Sequence, residues 1–160
     1  MMDQDTTIKL VLADDHAVVR SGLRMLLDSE PDFEVVAEAS DIESAKRYVR
    51  GHHPKVLVLD LNMPGGSSLE AIPILRQESP DTQIVVLTMQ QEPAFAREAL
   101  GAGALGYVLK EAADDELVEA VRNAAAGTCH AVAWCPTRRT SRGSALSRSA
   151  CRSGSCAGSC

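Results

Sequence analysis

Cysteine is absent from the first 128 residues of this 160-residue chain, and all five cysteines lie in the last 32. A disulfide framework therefore cannot hold the main part of the chain together. Aromatic residues are also scarce, with one Trp, two Tyr and two Phe, so the core has to be aliphatic. No apolar run approaches the ~18 residues of a membrane span, and the N-terminus lacks the segments of a secretion signal. We therefore expect a cytoplasmic protein without a membrane anchor.

Acidic residues are missing from the C-terminal part of the chain. Residues 1–127 hold all 22 acidic residues and 11 basic ones, whereas residues 128–160 hold five Arg and no acid. Such a split is a reason to treat the two parts separately. An acidic main part is a poor non-specific ligand for nucleic acid, which argues against direct DNA binding there.

Five short apolar, β-prone segments alternate with five helical patterns. Ser40 with Glu43, and Ser67 with Glu70, form capping boxes that predict the starts of the second and third helices. Parallel strands covered on both faces give nearly continuous apolar runs, as three of these segments do. The alternation predicts a doubly wound α/β sheet. The predicted strands are 8–13, 34–39, 56–61, 83–88 and 106–109, and the predicted helices are 17–29, 41–50, 68–78, 93–102 and 114–126.

Polar side chains follow four of the predicted strands at their carboxyl ends. Asp14 and Asp15 end the first strand, Asp60 the third, Thr88 the fourth and Lys110 the fifth. In a parallel sheet these ends open on one side, so the side chains are expected to converge on one crevice. Close carboxylates repel each other unless a cation lies among them, and oxygen ligands suit Mg²⁺. A carboxylate can also be the nucleophile that forms an aspartyl phosphate.

Each of these residues alone has a simpler interpretation. An Asp after a strand is often only a helix N-cap, a Thr can simply end a strand, and a Lys can be a solvated charge. His16, which follows the acidic pair, is interpreted as a helix-entry residue rather than a metal ligand. The functional interpretation depends on the polar residues occurring together at the ends of alternate segments.

The motifs around these residues resemble the receiver domain of two-component response regulators. The resemblance covers about residues 7–127 and implies a flavodoxin-like (βα)5 fold with strand order 2-1-3-4-5. The segment 11–23 is most similar to the NarL/FixJ-type subfamily. The motifs are Ala13-Asp14-Asp15-His16, Leu59-Asp60-Leu61-Asn62-Met63-Pro64-Gly65, Leu87-Thr88 and Gly106-Tyr107-Val108-Leu109-Lys110.

The resemblance implies a phosphorylation switch, which is not an enzyme but assists its own phosphorylation and dephosphorylation. Asp60 would accept the phosphoryl group from a sensor histidine kinase, and Lys110 would contact the phosphate. Mg²⁺ would be bound by Asp15 directly, by Asp14 mainly through water, by Asp60, and by the backbone carbonyl of Asn62.

The resemblance also implies a switch pair and a change of assembly. Thr88 would turn toward the phosphoryl oxygen, and Tyr107 would move inward behind it. A homodimer is expected on phosphorylation. One position departs from the family pattern, since Ser68 stands where a glycine usually precedes the leucine of the third helix. This loop borders the site, so we expect the change to affect dephosphorylation or the choice of kinase.

Residues 128–160 are predicted to form an unstructured tail rich in Arg, Ser and Cys. The cysteine spacings contain no C-x2-C pair, so zinc is not expected. NarL/FixJ-type regulators carry a C-terminal helix-turn-helix domain, and DNA binding would need such an effector domain, which is absent from this chain. The tail composition is typical of a G+C-rich gene read out of frame. Our hypothesis is that a frameshift near residue 128 removed the effector of a transcriptional regulator.

Two other functions fit the residues less well than a receiver does. An aspartyl-phosphate phosphatase of similar architecture would usually have a second acid two residues beyond its nucleophile, and that position is Asn62. A regulator that binds DNA as it stands is disfavoured by the missing domain. The residues therefore favour the signalling switch.

Overall fold

A computed structural model describes residues 7–127 and the backbone of residues 130–131. Its strands are β1 (Ile8–Ala13), β2 (Phe33–Ala39), β3 (Val56–Asp60), β4 (Gln83–Thr88), β5 (Gly106–Leu109) and β6 (His130–Ala131). They form one sheet in the order β2-β1-β3-β4-β5-β6, and every neighbouring pair is parallel. The order of the first five strands confirms the predicted flavodoxin-like arrangement.

Five α-helices connect these strands, and each begins and ends within two residues of its predicted bounds. The cap of the second helix is Asp41, whose carboxylate accepts a hydrogen bond from the Ser44 amide at 2.7 Å. The capping box predicted at Ser40 is therefore wrong, because Asp41 already occupies the cap position. The cap at Ser67 is confirmed. The helices are α1 (Ala17–Asp28), α2 (Ile42–His52), α3 (Ser68–Glu78), α4 (Pro93–Ala102) and α5 (Ala113–Ala125), and the 3-10 turn Lys110–Ala112 precedes α5.

The sheet is covered by helices on both faces, and side chains alternate between the two along each strand. Leu10 and Leu12 of β1 pack in the layer that contains α1 and α5, whereas Val11 and Ala13 pack in the layer that contains α2, α3 and α4. Every residue of β3 is buried. Full burial of one leucine side chain contributes about 2 kcal/mol, so these aliphatic layers hold the strand ends in place.

β6 lies beyond the predicted end of the domain. Gly106 pairs with His130, and Tyr107 pairs with Ala131. The sequence analysis predicted no strand here, since two residues are too few to give an apolar period, and β6 is an addition to the predicted sheet. The remainder of the predicted tail, including its cysteines, lies outside the described residues. The domain bounds 7–127 stay a prediction.

A chain that ends at Gly127 is expected to fold. The buried side of α5 includes Leu117 and Val121, which pack against strands that precede Gly127. Loss of β6 removes a two-residue edge pairing with β5 and the contacts of these two residues with α5. A backbone hydrogen bond contributes about 1 kcal/mol. We expect Tm to fall by no more than about 5 °C relative to a chain that ends at Ala131. An unfolded Gly127 chain in thermal melting would contradict this expectation.

Within the described part of the chain, no helix combines the length and the apolar character that crossing a membrane requires.

Candidate functional site

The carboxyl ends of β1 and β3 bring three aspartates together, as the sequence predicts. Ligand atoms of Asp14, Asp15, His16 and Asp60 all lie within 4.8 Å of one another. β1 and β3 are neighbours in the sheet, with Ala13 opposite Leu59, so the residues that follow these positions meet at the same edge. The acidic crevice is thus a direct result of parallel pairing.

Lys110 lies between two of these carboxylates. Its Nζ donates a hydrogen bond to Asp60 Oδ2 at 2.9 Å and forms an ion pair with Asp14 Oδ2, also at 2.9 Å. Burial lowers the pKa of Lys110, but the contacts with Asp60 and Asp14 outweigh it, so the pKa is raised overall. The crevice therefore contains a fixed positive charge next to the Asp60 carboxylate.

Asp60 is fully buried at the end of β3. Burial raises the pKa of its carboxyl group and Asp14 adds to the rise, whereas Lys110 and the Asn62 amide oppose it. The Asn62 amide donates to Asp60 Oδ1 at 3.1 Å. The net pKa is raised, so the charged carboxylate is less stable here than in water, as expected for a group that needs a further cation.

The raised pKa of Asp60 predicts how stability depends on pH in the absence of divalent cations. The folded pKa lies above the unfolded value of about 3.9, so ionisation of Asp60 disfavours the fold as pH rises through the interval between the two values. Asp60→Asn should therefore melt at a higher temperature than the wild type at pH 7, and the difference should shrink below about pH 4. Thermal melting in EDTA measures this, with the exposed Asp81→Asn as a control for lost charge. A lower Tm for Asp60→Asn at pH 7 would contradict it.

Asp15 and His16 form the solvent side of the crevice. The Asp15 side chain is 32% exposed, and its Oδ1 lies 2.9 Å from His16 Nδ1. The His16 amide donates to Asp14 Oδ1 at 2.8 Å. His16 is the N-cap residue of α1, in agreement with its interpretation as a helix-entry residue, but its side chain makes no cap hydrogen bond. Its ring instead lies against the acidic pair.

The crevice suits a hard divalent cation. Asp14 Oδ2 is the one buried side-chain oxygen or nitrogen of the described residues that has no hydrogen-bond partner. Lys110 approaches this oxygen only as an ion pair. Two buried carboxylates thus share one ammonium, which leaves net negative charge that a further cation would stabilise. Carboxylate oxygens are also the ligands that Mg²⁺ prefers. The residues present therefore fit the ion that the resemblance implies.

Arg20 holds the main chain of the acidic pair and was missed by the sequence analysis. Its guanidinium donates to the backbone carbonyl of Asp14 at 2.6 Å and to Glu38 Oε1 at 3.3 Å. Arg24, one turn further along α1, also pairs with Glu38. An arginine on the helix after the acidic pair was visible in the sequence, but nothing in the sequence indicated that Glu38 of β2 would face it.

Thr88 and Tyr107 are joined through the backbone of Gln90. The Gln90 amide donates to Thr88 Oγ1 at 3.0 Å, and the Gln90 carbonyl accepts from the Tyr107 hydroxyl at 2.7 Å. Tyr107 is 2% exposed, so its ring lies inward. Burial raises the pKa of its hydroxyl, and the Thr88 hydroxyl opposes part of that rise. The two residues predicted as a switch pair are thus in one hydrogen-bonded group.

Ser68, the departure from the family pattern, is the first residue of α3 and is buried. Its hydroxyl donates to the backbone carbonyl of Asp60 at 2.7 Å. The sequence analysis placed Ser68 in a loop that borders the site, whereas the structure connects it to Asp60 directly.

Comparison with known proteins identifies the family. The sequence matches the response regulator receiver domain over residues 10–122. The chain belongs to this family. It is a two-component response regulator receiver of the NarL/FixJ type, as the motifs predicted.

Similar proteins agree with this assignment. Oxygen regulatory protein NreC of Staphylococcus epidermidis is 47% identical over 116 residues, which cover 72% of this chain and 53% of that protein. A LuxR-family two-component response regulator from Aurantimonas sp. SI85-9A1 has a crystal structure with a TM-score of 0.74 and 41% identity, covering 79% of this chain and 90% of that one. The isolated REC domain of RcsB from Salmonella enterica serovar Typhimurium, with the phosphomimetic BeF3⁻, has a TM-score of 0.73 and 30% identity, covering 78% and 93%. The chain spans about half the length of the curated relatives it matches.

Proposed function

We propose that Asp60 is the residue that accepts the phosphoryl group. The observation that carries the proposal is the position of its carboxylate. Asp60 is the last residue of β3, and its carboxylate oxygen lies 2.9 Å from Lys110 Nζ. Asp14 and Asp15 lie close by in the same crevice. A carboxylate in such a place can act as a nucleophile toward phosphorus.

Mg²⁺ is the proposed cofactor, held by Asp14, Asp15, Asp60 and the backbone carbonyl of Asn62. When bound, it neutralises charge on the oxygens of the incoming phosphoryl group. Asp15 is the most solvent-accessible of the three carboxylates, with 32% of its side chain exposed. Asp14 provides a buried oxygen whose one close polar contact within the described residues is the Lys110 ammonium at 2.9 Å. The oxygen-rich crevice is the support for this choice of ion.

The chain's own groups have separate tasks in the transfer. A carboxylate oxygen of Asp60 attacks phosphorus, so that an O–P bond forms while the P–N bond of the donor phosphohistidine breaks and the histidine leaves. The Lys110 ammonium already contacts Asp60 Oδ2 and would stabilise the phosphoryl oxygens as they arrive. The same groups would assist attack by water when the phosphoryl group is lost.

Thr88 and Tyr107 are proposed to pass the phosphorylated state to the surface. Thr88 is buried at the end of β4 and would turn its hydroxyl toward a phosphoryl oxygen. This movement would release the Gln90 amide, which donates to Thr88 Oγ1 at 3.0 Å. The Gln90 carbonyl that holds Tyr107 would then shift as well. Homodimer formation on phosphorylation stays a prediction from the resemblance.

We assign the whole protein to transcriptional regulation in the cytoplasm, with a sensor histidine kinase as donor. This rests on relatives about twice as long as the matched segment, among them the transcriptional regulatory protein DegU of Brevibacillus brevis. DNA binding would require an effector domain. The frameshift hypothesis concerns residues outside the described part of the chain and stays a prediction. Asn62, where a related phosphatase would have its second acid, favours the switch over that enzyme.

The proposed function is tested by incubating the chain with Mg²⁺ and acetyl phosphate and measuring its intact mass. We expect the gain of a single phosphoryl group that is labile in base, and no gain when EDTA replaces Mg²⁺. Absence of any gain in the folded chain, or a phosphoryl group that peptide mapping locates away from Asp60, would contradict the proposal.

A further inference from the structure

The Ser68 hydroxyl joins the end of β3 to the beginning of α3. It donates to the Asp60 carbonyl at 2.7 Å, and the bond spans eight residues of sequence. Ser68 is only 1% exposed, so water cannot take the place of either partner. The bond is therefore a buried part of the site and not a surface contact.

This bond closes the base of the loop formed by residues 61–67. Gly65 and Gly66 in this loop both have positive φ, at 96° and 132°, so its backbone is neither helix nor strand. Further from the base, the Pro64 carbonyl accepts a hydrogen bond from the Ile42 amide at 3.2 Å. A loop with such irregular backbone takes its position from its anchors, and Ser68 provides the anchor next to Asp60.

The anchored carbonyl lies next to the groups that form the site. On the other side of the same strand end, the Leu61 amide donates to the Leu87 carbonyl of β4 at 3.3 Å. The main chain of Asp60 is thus held from two directions. The Asp60 carboxylate depends on this main chain for its position, and so does the backbone of Asn62, whose amide reaches that carboxylate at 3.1 Å.

Helix formation does not require the Ser68 hydroxyl. α3 is already capped by Ser67, whose Oγ accepts from the Glu70 amide at 3.3 Å. A receiver fold does not require it either, because the family pattern has a glycine at this position. The hydroxyl is therefore a feature of this chain that acts on Asp60.

We propose that Ser68 is a positioning residue for phosphoryl transfer, one that fixes Asp60 and the adjacent loop in the geometry that binds Mg²⁺ and receives the phosphoryl group. The inference rests on the proposed role of Asp60 as phosphoacceptor. It assigns to Ser68 no contact with the phosphoryl group, because its hydroxyl is already engaged with the Asp60 carbonyl.

The test compares Ser68→Ala with Ser67→Ala in the full chain. Both variants lose a hydroxyl at the start of α3, but only the first loses a contact with Asp60. Three quantities are measured for each: the Mg²⁺ dissociation constant by calorimetry without a phosphodonor, the melting temperature, and the rate of phosphorylation by acetyl phosphate.

We expect Ser68→Ala to weaken Mg²⁺ binding and to slow phosphorylation, each by more than about twofold and by at most the about fivefold to which the whole energy of one ordinary hydrogen bond corresponds. Ser67→Ala should stay within about twofold of the wild type in Mg²⁺ affinity and in phosphorylation rate. Because it removes a helix cap, it should lower the melting temperature at least as much as Ser68→Ala does. Equal Mg²⁺ affinities and equal rates in the two variants would overturn the proposal, since Ser68 would then serve only the fold.

Two further outcomes are separable. Should Ser68→Ala not fold, Ser68→Cys, which keeps the size of the side chain but replaces the hydroxyl with a weak thiol donor, is used with the same expectation. If the wild type accepts no phosphoryl group, the proposed function fails, and the Mg²⁺ titration still decides the role of Ser68.

Discussion

Asp60→Asn is expected to accept no phosphoryl group from acetyl phosphate, under conditions in which the wild type is fully modified. The amide nitrogen and oxygen of Asn are poor nucleophiles toward phosphorus, whereas the ionised carboxylate has a lone pair available for attack. The substitution keeps the size of the side chain in a fully buried position, so the fold should survive. Intact mass measures the result.

The control for this experiment is the exposed Asp81→Asn, which removes one negative charge just before the amino end of β4, whereas the crevice lies at the carboxyl ends of the strands. It should be phosphorylated like the wild type. A stoichiometric, base-labile phosphoryl group on folded Asp60→Asn would refute the assignment of the phosphoacceptor, whereas loss of phosphorylation in both variants would point to a general effect of charge.

Asp15→Asn is expected to weaken Mg²⁺ binding at least ~10-fold, because even the loss of a group that only supports a metal ligand often costs that much. Asp15 offers the most exposed carboxylate of the crevice, with 32% of its side chain accessible. Phosphorylation at a fixed, low Mg²⁺ concentration should fall in parallel and recover in part when Mg²⁺ is raised. The melting temperature without Mg²⁺ should rise, since one of several close like charges is gone.

Calorimetric titration with Mg²⁺ and the rate of phosphorylation measure this second expectation. Glu119→Gln, which neutralises an exposed carboxylate on α5, serves as the control and should leave both quantities unchanged. Asp15 would be excluded as a ligand if the Asp15→Asn variant bound Mg²⁺ with the affinity of the wild type and was phosphorylated at the same rate.

The strands and the acidic crevice could be predicted because both depend on short-range patterns. Apolar runs such as 56–61 indicate buried parallel strands, and parallel pairing places the residues that follow these runs at one edge. Asp14, Asp60 and Lys110 therefore meet in the structure as the sequence indicated. No knowledge of side-chain direction was needed for this result.

The contacts that support the crevice could not be predicted in this way. The hydrogen bond from Ser68 to the Asp60 carbonyl depends on where α3 begins relative to the end of β3. The pairing of Arg20 with Glu38 joins a helix to a strand 18 residues away. Both contacts depend on how whole helices and strands are placed in three dimensions. The periodicity of the sequence carries no information about that placement.

The ammonium of Lys110, described above as a contact of two aspartates, also sets the charge balance of the crevice. Three carboxylates and one ammonium leave a formal charge of two negative, which a single divalent cation neutralises. An acyl phosphate on Asp60 would carry about one more negative charge than the carboxylate it replaces, so the loaded crevice would return to a net negative state. Thr88 ends the neighbouring strand, directly after the Leu87 that pairs with Asp60. The proposed turn of its hydroxyl from the Gln90 amide toward a phosphoryl oxygen would offer that residual charge a neutral donor.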